Sequence, residues 1–299
     1  MPVNRSIVLG ALALPALVAC GSSGVEASAP PIGIPAPTPP PPAVNAVHGR
    51  YVGSVTIGPV EYFADALFTA TGEARIYFGG AGGGASGAIP DTRAEAASQF
   101  VGNLDLDEGQ AAGSGIVIGE GCAISALTRF CDEAATAEIR FPGVSAGFGS
   151  DLKGSLTVTT AQGVEFWTLA LQPWNNVYPF GIELAHAAGQ YRERIAEFAA
   201  DDDTLVVIDE TGQLFFQSAG SGCTGNGIVT PDPEFNVLEI ALTIEACNGS
   251  FSYLNGDHSG LGTFSTSDYW NYDSVLRVWL SKSGTASPRA AFTMWGVLP

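Results

Sequence analysis

From His48 onward, the chain alternates between short β-type segments and turns rich in Gly, Asp, Asn and Pro. β-branched and aromatic residues fill the segments, and turn residues interrupt them before a helical period develops. Such spacing is typical of an antiparallel meander, in which each strand pairs with the next. In the first half of the chain we predict strands over 50–57, 62–69, 74–78, 100–106, 115–118, 136–141, 152–159 and 166–171.

The second half of the chain repeats features of the first half. Gly189-Gln190-Tyr191 follows Gly49-Arg50-Tyr51 by 140 residues, and Thr211-Gly212 follows Thr71-Gly72 by the same offset. Each Thr-Gly pair is typical of a turn that leads into a strand. We interpret these matches as a tandem duplication, with a single larger β domain as the alternative.

The next match has a shorter offset. Residues 113–117 are similar to residues 225–229, which follow them by 112 positions. Extra residues in the first copy would explain the change in offset. The glycine-rich segment 79–88 and the alanine-rich segment 91–99, which favours a short helix or a loop insertion, would supply them.

Eight or nine short strands in each copy must cover or remove their free edges. Closing eight antiparallel strands into a barrel removes those edges, and a barrel of this size is filled by side chains or holds one small ligand. We therefore predict an all-β fold with two tandem, small antiparallel barrel-like domains, over 47–181 and 182–299. A β-sandwich is the alternative.

The amino terminus has the features of an export signal. Arg5 precedes an apolar run over 7–18, which is too short to cross a bilayer as a helix. The sequence Leu17-Val18-Ala19-Cys20 then resembles the lipobox of bacterial lipoproteins. The resemblance implies a signal peptide over 1–19, cleavage before Cys20 and acylation of that cysteine. The alternative is an ordinary signal peptide.

Residues 20–46 form a predicted disordered linker after the lipidated cysteine. The segment is dense in proline, which favours an extended polyproline II conformation and a semi-rigid stalk. By the sorting rules of the lipoprotein family, Gly21 after the cysteine implies the outer membrane of a Gram-negative cell. A proline-rich ligand for a partner domain is the alternative.

The charge of the chain excludes one class of partner. Thirty acidic residues against twelve basic ones give a net charge of −18. Such a surface repels nucleic acid, whose phosphates are bound by Lys and Arg. It also repels anionic lipid headgroups, so attachment to a membrane is expected through the lipid on Cys20.

Four cysteines remain after Cys20 is assigned. An even number in an exported chain indicates disulfides, with three possible connectivities. Proximity favours Cys122–Cys131 and Cys223–Cys247. The close spacing of a zinc site is missing, and we expect no bound metal.

Segments of the second repeat resemble exported bacterial lipoproteins with lipocalin-like (calycin) barrels. The segments are 222–229, Cys247 and 260–264. The resemblance implies a barrel and, by extension, ligand binding. The Gly-x-Trp signature of lipocalins is replaced, because Tyr51 and Tyr191 stand where that family has tryptophan.

Sequence motifs of catalysis are missing from the chain. Asp257-His258-Ser259 does not predict a triad, because neighbouring side chains of an extended segment point to opposite faces. Two other histidines, His48 and His186, lie near the predicted domain edges, and 201–203 is an acidic run typical of a solvated turn. We predict a non-enzymatic protein without a cofactor.

Aromatic side chains beside amides are the candidate contact residues. Such rings stack on sugars or anchor protein partners, although they can also cover barrel ends or a domain interface. The candidates are Trp174, Tyr178, Tyr269, Trp270 and Tyr272. We expect a membrane-anchored envelope lipoprotein that binds a protein, a glycan or a small apolar ligand. The alternatives are an enzyme that acts on glycans or other polymers with a carboxylate pair, and a purely structural surface protein.

Overall fold

The computed structural model describes ten segments of the chain. They are 47–81, 98–107, 109–119, 135–144, 150–174, 181–192, 204–233, 235–265, 275–282 and 291–297. Several sequence predictions lie outside the described residues: the signal peptide, Cys20 and the linker, the Cys122–Cys131 pair, the acidic run 201–203, Tyr178, Tyr269, Trp270 and Tyr272.

The first half of the described chain is an eight-stranded antiparallel barrel. Each strand pairs with its sequence neighbour, and β1 also pairs with β8, from Tyr51–Pro173 to Ile57–Trp167. The strands are β1 (Gly49–Ile57), β2 (Val60–Phe68), β3 (Glu73–Ala81), β4 (Ser98–Asp107), β5 (Gln110–Gly119), β6 (Ala135–Pro142), β7 (Leu152–Thr160) and β8 (Gly163–Pro173).

The second half repeats this topology after one short helix. Its sheet is continuous from β9 to β16, and the pair Arg192–Val297 joins β16 to β9. The elements are α1 (Leu184–Ala187), β9 (Gly189–Arg192), β10 (Thr204–Ile208), β11 (Gln213–Ser218), β12 (Thr224–Pro231), β13 (Leu238–Glu245), a 3-10 helix (Gly249–Leu254), β14 (Gly256–Ser265), β15 (Val275–Lys282) and β16 (Ala291–Val297). The predicted all-β fold with two barrel-like domains is confirmed, and the sandwich alternative is wrong.

Side chains fill the interior of the first barrel. Alternate residues of each strand point inward, as in β6, where buried and exposed positions alternate throughout. The rings of Tyr51 and Phe68 lie 5.5 Å apart between centroids, and Phe78 meets Trp167 at 5.4 Å, edge to face in both cases. Burial raises the pKa of Tyr51 to about 12. This interior is a packed hydrophobic core.

The second barrel is filled in the same way. Tyr191, which follows Tyr51 by 140 residues, is fully buried and meets Phe264 with 6.4 Å between ring centroids. Its hydroxyl donates a hydrogen bond to the Ala187 carbonyl at 2.6 Å, which ties α1 to the barrel. Burial raises the pKa of Tyr191 above its usual value.

Two turns with matching hydrogen bonds support the duplication. Gly72, between β2 and β3, and Gly212, between β10 and β11, each donate to the carbonyl three residues earlier at 3.0 Å. Both have positive φ, 95° and 84°. Their carbonyls accept hydrogen bonds from Leu104 in β4 and Val229 in β12, at 2.7 and 2.8 Å. Strand β12 is therefore the counterpart of β4.

This correspondence corrects the second sequence match. Residues 113–117 lie in β5, whereas 225–229 lie in β12, so the 112-residue offset compared strands that are not equivalent. Glycine-rich strands share short motifs wherever they occur, and only the hydrogen bonds distinguish them. The predicted helix over 91–99 is also wrong at its end, because Ser98 and Gln99 already belong to β4. Residues 91–97 lie outside the described segments.

The two barrels share one stagger. Starting from Leu104 and Val229, the paired residues can be followed from strand to strand around each sheet. The pair that joins β16 to β9, Arg192 with Val297, then corresponds to Val52 with Gln172 in the first barrel, which is also a pair. Since the stagger sets the width of a barrel, the interiors have equal diameters.

We expect Gly212→Ala to lower the free energy of unfolding by about 2 to 3 kcal/mol, because the left-handed conformation strains an alanine and its Cβ meets backbone. That Cβ would lie 2.5 Å from the Val229 carbonyl oxygen. Gly143→Ala is the matched control, since Gly143 has φ of 72° and open space around its Cβ. It should cost about 1 kcal/mol in urea unfolding. Equal costs for the two variants would show that the contact with Val229 is unimportant.

The pairing predicted for Cys223 and Cys247 is confirmed. Their sulfurs are bonded at 2.04 Å, and both residues are buried. The bond links the β11–β12 connection to the β13–β14 connection, at one end of the second barrel. Nearby, the Asn248 amide donates to the Ser221 carbonyl at 3.0 Å, so the two connections are also joined through their backbones.

Candidate functional site

The two barrels pack against each other through the outer faces of some of their strands. In β1 and β2, the residues from Gly49 to Val55 and from Phe63 to Phe68 are buried on both faces, unlike the alternating strands β6 and β13. The outward residues form a second cluster that we call the barrel interface. Its members are Val52, Phe63, Leu67 and Tyr77 from the first barrel, and Val237, Leu261 and Trp279 from the second, with Trp174 and Phe235 packed at its margin.

A buried carboxylate lies in the barrel interface. Asp65 on β2 accepts two hydrogen bonds from Arg50 on β1, from Nε at 3.0 Å and from Nη2 at 2.7 Å. Arg277 of the second barrel approaches the same carboxylate, with its Nη1 atom 4.0 Å from Oδ2. The three side chains are 3–6% exposed. A carboxylate so buried is stable only because cationic partners compensate its lost hydration.

A second arginine bridges the barrels by hydrogen bonds. Arg75 on β3 donates to the hydroxyl of Ser281 and to the carbonyl of Ser259, the latter at 3.2 Å. It also pairs with Glu73 of its own strand at 3.0 Å. Burial lowers the pKa of Arg75, while Glu73 opposes that shift. The interface is therefore polar and specific at two points, Asp65 and Arg75.

Trp174 is the candidate contact residue that the structure describes. It lies directly after β8, half-buried at the margin of the barrel interface. Its amide donates to the Arg50 carbonyl at 2.9 Å, and the Arg50 guanidinium lies 5.2 Å from its ring centroid. Trp174 thus covers a charged pair at the domain interface, which was the alternative reading of these aromatic residues.

The three histidines lie in different environments. The His48 ring meets Phe235 with 3.6 Å between centroids, His186 is exposed on α1, and His258 is buried on β14. Burial lowers the pKa of His258, and its Nδ1 lies 3.0 Å from the Gly256 carbonyl oxygen. Within the described segments, no three His, Cys, Asp or Glu side chains gather as a metal site would require.

Asp257-His258-Ser259 does not form a triad in the structure. The three residues are consecutive in β14, and Asp257 is exposed while His258 is buried. The Asp257 carboxylate instead accepts a hydrogen bond from the Thr243 hydroxyl at 2.8 Å. The alternation expected of an extended segment separates the groups that a triad must bring together.

Four large apolar side chains are exposed among the described residues, and they form two pairs. Val164 and Phe166 on β8 are 54% and 76% exposed, whereas Phe215 on β11 and Ile228 on β12 are 38% and 53% exposed. Each pair lies on the outer face of one barrel. Large apolar groups grouped on a surface mark sites of interaction.

The β10–β12 face is uncharged. It consists of the nine outward positions of three paired strands: Leu205, Val207, Gln213, Phe215, Gln217, Thr224, Asn226, Ile228 and Thr230. Phe215 lies directly between Val207 and Asn226 across the ladders, and Ile228 lies opposite Gln213. An apolar centre with amides and hydroxyls around it is typical of a protein contact surface.

The β6–β8 face of the first barrel has a different character. It is defined by Thr136, Glu138, Arg140, Lys153, Ser155, Thr157, Thr159, Val164, Phe166 and Thr168. Glu138 and Arg140 form an exposed ion pair with 3.7 Å between Nη2 and Oε2. Charged and hydroxyl groups therefore surround the one exposed ring, Phe166.

Sequence reasoning missed the barrel interface and both outer faces. One signal was present, because β1 and β2 have apolar residues at positions of both parities, which is typical of a sheet covered on both sides. Nothing in that pattern tells which other strands cover them.

No protein family model matches this chain, and no curated protein or solved structure matches it either. The described part of the chain also contains no helix that is both long enough and apolar enough to span a membrane.

Proposed function

We propose that the protein is a non-enzymatic envelope lipoprotein that binds a partner through the outer faces of its barrels. The observation that carries the proposal is the contrast between filled interiors and apolar outer faces. Aromatic rings occupy the first barrel, whereas Phe166 and Ile228 are exposed on outer faces. Contact with a protein or a glycan is therefore favoured over a small apolar ligand held inside a barrel.

The attachment part of the proposal rests on the amino-terminal sequence. Acylation of Cys20 and the proline-rich linker after it would hold the barrels near a membrane, and Gly21 favours the outer membrane. The net charge of −18 supports attachment through lipid, because anionic headgroups would repel the folded part. Cys20→Ser should abolish incorporation of labelled palmitate, and a variant that still incorporates it would refute the anchor.

The binding part can be tested by photo-crosslinking in cells that express the full chain. A photoreactive amino acid would replace Ile228 or Phe166, and Glu210, an exposed turn residue, would be the matched control position. We expect cross-linked adducts from at least one of the two apolar positions and none from position 210. Adducts missing at both positions would refute binding through the outer faces and would favour a purely structural surface protein.

A further inference from the structure

The β10–β12 face is unusual for so acidic a chain. The protein carries a net charge of −18, yet the nine outward positions of these strands are uncharged. Two of them, Phe215 and Ile228, are large apolar side chains exposed by 38% and 53%. Bringing any acidic partner to this face costs less electrostatic work than bringing it to the rest of the surface.

The counterpart of this face in the first barrel is already an interface. By the correspondence of the two barrels, Val207 corresponds to Leu67, and Phe215 corresponds to Arg75. Leu67 is fully buried against the second barrel, and Arg75 bridges to Ser281. In this barrel type, the outer face of the second and third strands is thus a surface that packs on a barrel of the same chain.

Head-to-tail association of further copies is blocked. The surface that receives the first barrel lies on β14 and β15, where Leu261 and Trp279 are already buried. Following the paired residues strand by strand, its counterpart on the first barrel has Arg140 in place of Leu261 and Ser155 in place of Trp279. Arg140 is 66% exposed, so this surface lacks the apolar anchors of the barrel interface.

We propose that two copies of the chain associate through their β10–β12 faces around a twofold axis. A twofold interface joins the same patch of both subunits, so the patch must be compatible with itself. An uncharged face meets this condition in two copies that otherwise repel each other. Phe215 and Ile228 supply the apolar centre, and Gln213, Gln217 and Asn226 supply both donors and acceptors at the rim.

The inference rests on the proposed binding through outer faces and names a second copy as the partner. Its test is sedimentation equilibrium of the purified full chain in density-matched detergent micelles. We expect a reversible dimer, and Ile228→Glu should weaken it by roughly 30-fold or more, because a carboxylate at the centre is buried without a partner. Phe166→Glu, on the β6–β8 face, is the matched control and should leave the dimer constant unchanged.

Fold and partner are separated by two further measurements. Circular dichroism and the melting temperature of Ile228→Glu should match the unaltered chain, since the side chain is exposed in the isolated barrel. Photo-crosslinking from position 228 should yield an adduct of twice the mass of the chain. A chain that stays monomeric up to about 100 µM, or a dimer that Ile228→Glu leaves intact, would overturn the inference. An adduct with a different protein would overturn it while supporting the proposed function, and missing adducts at 166 and 228 would overturn both.

Discussion

Asp65→Ala is expected to lower the free energy of unfolding by about 3 to 5 kcal/mol, measured by urea denaturation. The Asp65 side chain is 3% exposed and compensates Arg50 directly and Arg277 across the barrel interface. Removing the carboxylate leaves both guanidiniums buried without their anionic partner, and neither can lose its charge near neutral pH. The loss should therefore exceed that of an ordinary surface ion pair.

Glu138→Ala provides the matched control for this prediction. Glu138 also pairs with an arginine, but its side chain and that of Arg140 are 67% and 66% exposed. We expect a change within about 0.5 kcal/mol, because water replaces the lost interaction. If Asp65→Ala costs no more than Glu138→Ala, the buried charges in the barrel interface do not stabilise the docked barrels.

Replacing Cys223 and Cys247 together by serine should lower the free energy of unfolding by about 3 kcal/mol. The disulfide closes a loop with a sequence separation of 24, and its loss increases the conformational entropy of the unfolded chain. Both cysteines are buried, so the serine hydroxyls also have to be accommodated in a core. Paired urea titrations of the variant and the unaltered chain measure the difference.

The position of the disulfide predicts where the variant changes first. Hydrogen exchange should rise in the two connections that the bond joins, 219–223 and 246–255, before it rises in β6 of the first barrel. A uniform rise over both barrels would indicate that the bond acts on the whole molecule. A change in stability below about 0.5 kcal/mol would contradict the assigned contribution of the bond.

Local sequence patterns predicted most of the strands correctly, because turn residues and alternation act over a few neighbouring positions. Gly72 and Gly212 are examples, since each positive φ is needed by a turn whose hydrogen bonds are almost all local. The comparison of 113–117 with 225–229 was wrong for the opposite reason. Which strand is equivalent to which depends on pairing between residues far apart in the chain, such as Gly212 with Val229.

The candidate site was less predictable than the fold. Trp174 was selected as an exposed contact residue, but it covers Arg50 at the barrel interface. Phe215 and Ile228 were not selected at all, because each looks like an ordinary strand residue when its neighbours across the ladder are unknown. Their significance comes from a shared outer face, which pairing of β11 with β12 creates.

The sequence by itself determined the β-type strands, their turns, the Cys223–Cys247 pairing and the acidic character of the chain. These properties follow from conformational preference, proximity and composition, which need no knowledge of distant contacts. Only the tertiary structure decided which outer faces are covered and which stay exposed. That outcome depends on the packing of one barrel on the other, where Asp65 meets Arg277 and the β10–β12 face is left free of the interface.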